Sequence, residues 1–290
     1  MDPLPFLLVV VSAFSHAAWN VLAKRSEDKG SYLWIMTTTS LFTVLPVYAF
    51  ILTDWGPPLT ALPYLLVSAF AETLYFISLG RAYELGDLSV VYPLARSSPL
   101  FLTVLAIIFL EERISAWGAV GILLMVVGVY TIHLKSLSLR DLTLPIRSMK
   151  GRASQLALLT ALCTTVYSLA DKAAVTRVDP LTYSLWLEVF IVPLMTATIL
   201  WTRGRKALIR EWETSKVTAT AAGFLMRFSY VMVLWVMSRV QVSYVLSLRQ
   251  LSVVLGAAAG VVFLGESYGR VRLVSSIIMF TGVYILAVLA

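Results

Sequence analysis

Long apolar segments alternate with short polar ones along almost the whole chain. An apolar segment of about 18 or more residues can cross the roughly 30 Å of bilayer hydrocarbon as a helix. Such segments predict ten membrane-spanning helices, at about 4–23, 31–52, 62–82, 89–110, 115–134, 154–173, 181–201, 217–238, 242–264 and 271–289. The pattern therefore predicts an all-α integral membrane protein with ten transmembrane helices.

One stretch of the chain recurs after about half its length. Residues 109–132 align without a gap on residues 263–286, and eight of the 24 aligned pairs are identical, including a Gly-Val-Tyr run in each copy. An odd number of spans in each copy makes the copies cross the membrane in opposite directions, as in many secondary transporters. We therefore expect two inverted five-helix repeats, residues 1–134 and 154–290, joined by a basic loop at 135–153.

Polar stripes mark the first helix of each predicted half. Spacings of three and four residues place the polar positions on one side of a helix that is otherwise apolar. In the first half these positions are Ser12, Ser15, His16, Trp19 and Asn20, and 148 positions later they are Thr160, Cys163, Thr164, Tyr167 and Ser168. Two such stripes facing each other would line a polar cavity.

The fourth helix of each half also has a polar face. The residues are Ser89, Tyr92 and Arg96 in the first half, and Ser243, Ser247 and Gln250, with Arg249 beside them, in the second. At an offset of 154, Ser89 matches Ser243 and Arg96 matches Gln250. The correspondence favours a cavity that both halves share.

Each third helix has one ionisable residue near its middle. Glu72 and Arg227 are each followed three positions later by a tyrosine, Tyr75 and Tyr230. A charge at the bilayer centre costs at least about 2.5–3.5 kcal/mol, so both residues should face the bundle interior and find partners. Their opposite signs at related depths predict a Glu72–Arg227 ion pair.

The net charge of +7 comes from the loops. Of the 23 Lys and Arg residues, 16 lie in the odd-numbered loops, four in the even-numbered loops and three inside helices. By the positive-inside rule the odd-numbered loops are cytoplasmic, which predicts that both termini lie outside the cell membrane. The basic residues therefore indicate topology and do not predict nucleic acid as a partner.

The sequence resembles the EamA-type permeases of the drug/metabolite transporter superfamily. The resemblance rests on HAAWNVLAK at 16–24, on FLEE at 109–112 and FLGE at 263–266, and on the glycine-rich helices that follow them. It covers essentially the whole chain. It implies a substrate cavity lined by the first, third and fourth helices of each half, with the fifth helices at the periphery. Many members keep their termini in the cytoplasm, and the loop charges here predict the reverse.

The candidate substrate-binding residues lie on these polar faces, and each can also be read as packing or as a structural partner. They are His16, Trp19, Asn20, Glu72, Tyr75, Tyr92, Arg96, Tyr167, Ser168, Arg227, Tyr230, Arg249 and Gln250. Three arginines against one mid-helix acid, Glu72, with Glu188 as a partial offset, favour a substrate that carries a carboxylate or phosphate group. An amino acid or organic anion is the leading candidate, with amphipathic drugs as the alternative.

Two groups could couple transport to protons. His16 titrates near neutral pH in its unperturbed form, although a lone histidine on such a stripe is more often a hydrogen-bonded wall residue. Glu72 is the stronger candidate if it lacks an ionic partner. Lys24 and Lys172 end their helices, where they can extend to the headgroups or contact a gate, and Glu112 and Glu266 fit an architectural role.

Other classes of function find little support in the chain. No G-x-x-x-x-G-K-[ST] phosphate loop occurs, and no group of residues has metal-ligand spacing, so we expect no cofactor and no ATP hydrolysis. A channel or a membrane-embedded enzyme remains a weaker alternative. Gly256 and Gly260 form a small-xxx-small motif that fits either internal packing or a homodimer contact.

Overall fold

A computed structural model describes residues 2–24, 26–52, 54–86, 91, 94–132, 134, 136, 138–255 and 269–290, and leaves aside the side chains of residues 24, 145 and 148. All regular secondary structure in these ranges is helical. The helices are α1 (Pro3–Lys24), α2 (Lys29–Ile51), α3 (Leu62–Leu85), α4 (Ser98–Leu110), α5 (Ala116–Thr131), α6 (Leu139–Arg147), α7 (Arg152–Val175), α8 (Pro180–Thr202), α9 (Gly204–Met237), α10 (Val242–Arg249) and α11 (Arg270–Tyr284).

The described helices suit a bilayer. Seven of them are long and apolar enough to cross a membrane, and three shorter apolar helices accompany them at Ser98–Leu110, Ala116–Thr131 and Val242–Leu255. Large apolar side chains point outward from the bundle: Phe50 is 91% exposed and Trp201 is 88% exposed. In a multi-pass membrane protein these side chains contact lipid.

Local sequence explains where the second helix of each half begins. Asp28 Oδ1 accepts hydrogen bonds from the amides of Gly30 and Ser31 at 3.1 and 3.2 Å, and so caps α2. Asp179 Oδ1 caps α8 in the same way, through the amides of Leu181 and Thr182. Each aspartate satisfies amides that have no partner inside their helix.

Two segments predicted as loops contain helix. The connecting segment includes α6 and a 3₁₀ turn at Ser148–Lys150. Tyr130 Oη, on α5, donates to the carbonyl of Leu142 at 2.5 Å and so holds α6 against the bundle. Residues 204–216 of the basic segment form the first part of α9, whose 34 residues span about 51 Å, well beyond the hydrocarbon thickness. Apolar residues alternate with the basic residues in both segments, and the high charge made this helical pattern hard to recognise in the sequence.

The second helices of the two halves pack in opposite directions. Trp34 Nε1 on α2 donates to Thr196 Oγ1 on α8 at 2.8 Å, and Tyr48 Oη near the other end of α2 donates to Ser184 Oγ at 3.1 Å. The partner number falls as the residue number rises, so the helices are antiparallel. Equivalent helices therefore run in opposite senses, as an inverted repeat requires.

The fifth helices of the two halves, α5 and α11, also cross each other. The backbone of Gly282 approaches Gly121, and the backbone carbonyl of Ser275 lies beside Gly128. Thr131 Oγ1 lies 2.8 Å from Ser275 Oγ at the same crossing. Gly128 and Gly282 are the matched glycines of the repeated Gly-Val-Tyr run, so the sequence repeat marks a helix contact.

Two further contacts between the halves form a matching pair. Helix α1 packs along α9, and α3 packs along α7. A hydroxyl pair lies in each interface: Ser12 Oγ is 3.1 Å from Ser229 Oγ, and Ser78 Oγ is 2.9 Å from Thr160 Oγ1. In both contacts the first helix of one half therefore packs against the third helix of the other half.

Gly223→Ala will destabilise the protein by about 1–3 kcal/mol. A Cβ atom at Gly223 would lie 2.4 Å from the backbone carbonyl oxygen of Met36, so α9 and α2 would have to move apart. Thermal unfolding in detergent measures the effect. The matched control is Gly80→Ala, where a Cβ atom meets nothing within 4 Å and alanine favours the helix. Equal melting temperatures for the two variants would contradict the close contact.

Candidate functional site

A polar cavity lies inside the bundle where helices of both halves meet. Its volume is about 30 Å³, room for about one or two water molecules and far below the roughly 300–1,000 Å³ of a typical ligand pocket. The lining residues are His16, Trp19, Thr37, Glu72, Tyr75, Phe76, Tyr167, Ile191, Met226, Arg227, Tyr230 and Arg249. The cavity is therefore too small in this structure to hold a metabolite.

The structure brings eight of the thirteen candidate residues to this cavity: His16, Trp19, Glu72, Tyr75, Tyr167, Arg227, Tyr230 and Arg249. Asn20, Arg96, Ser168 and Gln250 do not line it, and Tyr92 lies outside the described residues. Ser168 and Gln250 are buried, and Asn20 Nδ2 donates to the carbonyl of His16 at 2.7 Å. The second helix of each half also contributes, through Thr37 and Ile191, which the polar stripes did not predict.

The predicted Glu72–Arg227 ion pair is wrong. Arg227 Nη2 lies 2.6 Å from Glu188 Oε1, and both side chains are almost fully buried. Ser40 Oγ also donates to Glu188 Oε1, and Arg227 Nη1 donates to Ser184 Oγ at 3.1 Å. The sequence analysis compared only the charged residues of the two third helices, whereas the partner of Arg227 lies on α8.

Asp171 is the charged residue that the sequence analysis missed. It is fully buried on α7, where Oδ1 accepts hydrogen bonds from Ser68 Oγ at 2.6 Å and from Tyr183 Oη at 2.7 Å. Tyr230 Oη donates to Oδ2. Asp171 is four residues beyond Tyr167 on the same helix face, a spacing that could have identified it.

Asp171 and Glu188 change the charge balance of the site. With Glu72 they supply three acidic side chains in the bundle interior, against the arginines at 96, 227 and 249. The formal charges of these six side chains are therefore equal in number, whereas the sequence analysis counted more arginines than acids.

Glu72 lines the cavity with little support from its neighbours. Its side chain is buried, and Oε2 has no hydrogen-bond partner within the described part of the chain. Ser68, one turn before Glu72 on α3, donates a hydrogen bond to Asp171. Residues four apart lie on the same face of a helix, so Glu72 lies about one helical turn from the contact with Asp171.

His16 is flanked by two guanidinium groups. Arg96 Nη1 lies 3.4 Å from Nε2, and Arg249 Nη2 lies 3.2 Å from Nδ1. Guanidinium groups only donate hydrogen bonds, and a neutral imidazole has one accepting nitrogen, so at most one of these contacts is a hydrogen bond. Arg249 Nε has no partner among the described residues. The Arg249 guanidinium therefore retains a free donor.

Aromatic rings form much of the remaining wall. The Tyr75 and Tyr167 rings meet edge to face with centroids 5.9 Å apart, and the His16 and Trp19 rings do so at 4.8 Å. Trp19 Nε1 is buried without a partner in the described ranges. These rings could contact a flat or apolar group and offer one further hydrogen-bond donor.

Two residues that recur in the sequence repeat, Glu112 and Lys172, contact the ends of helices. Glu112 accepts from the amides of Val242 and Ser243 at 2.6 and 3.3 Å, at the start of α10, which fits the expected architectural role. Lys172 Nζ donates to the carbonyls of Met237 and Val240 at 2.5 and 3.0 Å, at the end of α9. The corresponding Lys24 side chain and Glu266 lie outside the described residues, as do Ser89, Gly256 and Gly260.

Ion pairs join the two halves at one end of the bundle, which we call the basic end because segment 203–216 lies there. Arg203 contacts Glu84 at the end of α3, and Arg203 Nε lies 3.8 Å from Asp28 Oδ1. The amide of Asp28 also donates to Glu211 Oε2 at 3.3 Å. These contacts hold the halves together at the basic end.

These features define a class of protein. Apolar helices in two oppositely directed halves enclose a charged cavity, and no group of His, Cys, Asp or Glu side chains among the described residues could hold a metal ion. This is the construction of a multi-pass membrane transporter.

Comparison with known proteins gives the family. The model of the EamA-like transporter family matches residues 4–134 and 152–288. The chain therefore belongs to the EamA-like transporter family. No curated protein sequence matches it. A crystal structure of a protein with 13% sequence identity has a TM-score of 0.77 and matches over 100% of this chain and 98% of the other, which shows a shared fold.

Proposed function

We propose that the protein is a secondary transporter that moves a small zwitterionic metabolite of the amino-acid type by alternating access. In this proposal ten membrane-spanning helices form two inverted halves, residues 1–134 and 154–290, which segment 135–153 connects. The loop charges support an orientation with both termini outside the cell.

One observation carries this function: opposite charges with unused hydrogen-bonding atoms line a cavity that both halves build. Glu72 on α3 has an oxygen without a partner, and Arg249 on α10 has an Nε without one, in the part of the chain that the structure describes. A guanidinium binds a carboxylate through paired N–H groups, and a carboxylate accepts from an ammonium group. Arg249 and Glu72 thus fit the two charged groups of an amino acid.

The pairing of Arg227 with Glu188 limits the classes of substrate that fit the cavity. An organic anion would need uncompensated cations, and Arg227 already has an acidic partner at 2.6 Å. The aromatic wall of Trp19, Tyr75 and Tyr167 favours a substrate whose side chain is flat or apolar. The proposed substrate is therefore an amino acid with such a side chain.

Binding requires the cavity to enlarge. A volume of about 30 Å³ is too small for any amino acid, and ion pairs hold the basic end together. Relative rotation of the two halves would open the cavity to one side and then to the other. The proline inside the second helix of each half, Pro46 and Pro193, provides a site for bending during this movement.

Counterflow in liposomes tests the function. Purified protein in vesicles loaded with unlabelled L-phenylalanine should accumulate labelled L-phenylalanine transiently, with a rate that saturates. Two analogues test the charge requirement: 3-phenylpropanoate lacks the ammonium group and 2-phenylethylamine lacks the carboxylate, and both should compete more weakly. Flux without saturation or exchange would indicate a channel, and equal competition by 2-phenylethylamine would indicate a carrier of amphipathic drugs.

A further inference from the structure

We propose that Glu72 is a proton-binding site, and that the ammonium group of the substrate displaces the proton, so that one proton is exchanged for each substrate molecule. This inference rests on the proposed transport function and adds its coupling ion. It follows from the different environments of Glu72 and Asp171, two carboxyl groups that lie on facing helices.

Asp171 has more hydrogen-bond donors around its carboxyl group than Glu72 has. Three hydroxyl groups, of Ser68, Tyr183 and Tyr230, donate to its two oxygens. Each of these donors stabilises the ionised carboxylate, and a proton on Asp171 would compete with them for the same oxygens. These donors make Asp171 the better stabilised anion of the two carboxyl groups, and it lies behind the cavity wall.

Glu72 is built differently. Its Oε2 has no donor within the described residues, and an ionised carboxylate that is buried without donors is costly. The Asp171 carboxylate adds like-charge repulsion to an ionised Glu72. A proton on Glu72 removes both costs, and the side chain faces the cavity, where a substrate can reach it.

Other charged groups face Glu72 from the surrounding helices. Arg227 on α9 is paired with Glu188 on α8, so their charges offset each other. Arg249 on α10 contacts His16 on α1, and the tyrosines at 75, 167 and 230 complete the titratable wall. Helix α2 contributes Thr37, which is uncharged. The arginines favour the ionised form of Glu72, which makes release of the proton feasible once a cation replaces it.

Proton and ammonium group exclude each other at this carboxyl group. When the substrate binds, the O–H bond of Glu72 breaks, the proton leaves to the aqueous phase on the open side, and the ammonium N–H groups donate to the carboxylate. When the substrate leaves, Glu72 takes up a proton on the side that is then open. An inward proton gradient would therefore drive substrate outward.

Binding measured as a function of pH tests the proposal. Calorimetric titration of the purified protein with L-phenylalanine between about pH 5 and 8 should show an affinity that rises with pH, by up to tenfold per unit, and release of up to one proton per ligand in weakly buffered solution. With 3-phenylpropanoate, which has no ammonium group, no proton should be released.

Two variants locate the proton. Glu72→Gln should bind L-phenylalanine more weakly and with no dependence on pH, and its binding of 3-phenylpropanoate shows that the variant is folded. His16→Gln should keep the pH dependence. An unchanged pH dependence in Glu72→Gln, or its loss in His16→Gln, would overturn the proposal. Saturable counterflow without proton release would overturn the coupling and leave the transport function standing, whereas absence of counterflow would remove the function itself.

Discussion

Arg227→Met will lower the free energy of unfolding by about 3–5 kcal/mol, because it leaves the Glu188 carboxyl group buried without its cationic partner. Glu188 is fully buried, and the described contacts of its Oε1 come from Arg227 and Ser40. Methionine replaces the aliphatic part of the arginine side chain and supplies no hydrogen-bond donor. Thermal or chemical unfolding in detergent micelles measures the loss.

The matched control removes both charges. A buried ion pair that is replaced by apolar side chains of similar volume often leaves stability unchanged or improved. The double variant Arg227→Met with Glu188→Met should therefore recover most of the stability that the single variant loses. A single variant as stable as the parent protein would show that Glu188 has another partner and would contradict the observed pair.

Arg249→Gln will weaken the binding of L-phenylalanine by about 2–4 kcal/mol, or roughly 30- to 1,000-fold. The guanidinium of Arg249 faces the cavity with its Nε unused among the described residues, and glutamine cannot offer a charged, paired contact to a carboxylate. Equilibrium binding to the purified variant gives the size of the effect.

The analogues supply the control for Arg249. Binding of 3-phenylpropanoate should fall by a similar factor, since it keeps the carboxylate, whereas 2-phenylethylamine should lose little affinity. Arg177→Gln, at an exposed arginine that stacks on Tyr64 away from the cavity, should leave all three affinities unchanged. Equal losses for all three ligands in Arg249→Gln would assign Arg249 a structural role.

The sequence predicted the features that local pattern and repetition encode. Helical spacing correctly placed His16, Trp19 and Tyr167 toward the bundle interior, because lipid-facing positions of a membrane helix are apolar. The repeated Gly-Val-Tyr run identified Gly128 and Gly282, and both lie in one helix crossing. The sequence therefore predicts which helix face is buried and where helices cross, because those positions accept only certain residue types.

Partners across the fold could not be predicted in this way. Glu188 and Arg227 are paired because α8 packs beside α9, and nothing in either helix alone indicates that contact. Asp171 was overlooked because it precedes Lys172 near a predicted helix end, where charged residues usually extend to the headgroups. In the structure α7 continues to Val175 and places Asp171 inside the bundle.

Basic loops were the other source of error. Charge and helical structure are independent properties, so the many arginines and lysines of 135–153 and 203–216 correctly suggested exposure but wrongly suggested irregular backbone. The long helix α9 contains the cavity residue Arg227 and, near its other end, Glu211, which accepts a hydrogen bond from the amide of Asp28 at the basic end. This helix therefore connects the proposed binding site with the contacts that hold the halves together.

Distances between spin labels at the two ends of the bundle test the account most directly. In a Cys163→Ser background, one label pair at the exposed positions 85 and 212 reports on the basic end, and another at 59 and 176 reports on the opposite end. Addition of L-phenylalanine or a change of pH should lengthen the distance at one end while shortening it at the other. If both distances stay fixed, or both lengthen together, the two halves do not alternate about a central cavity.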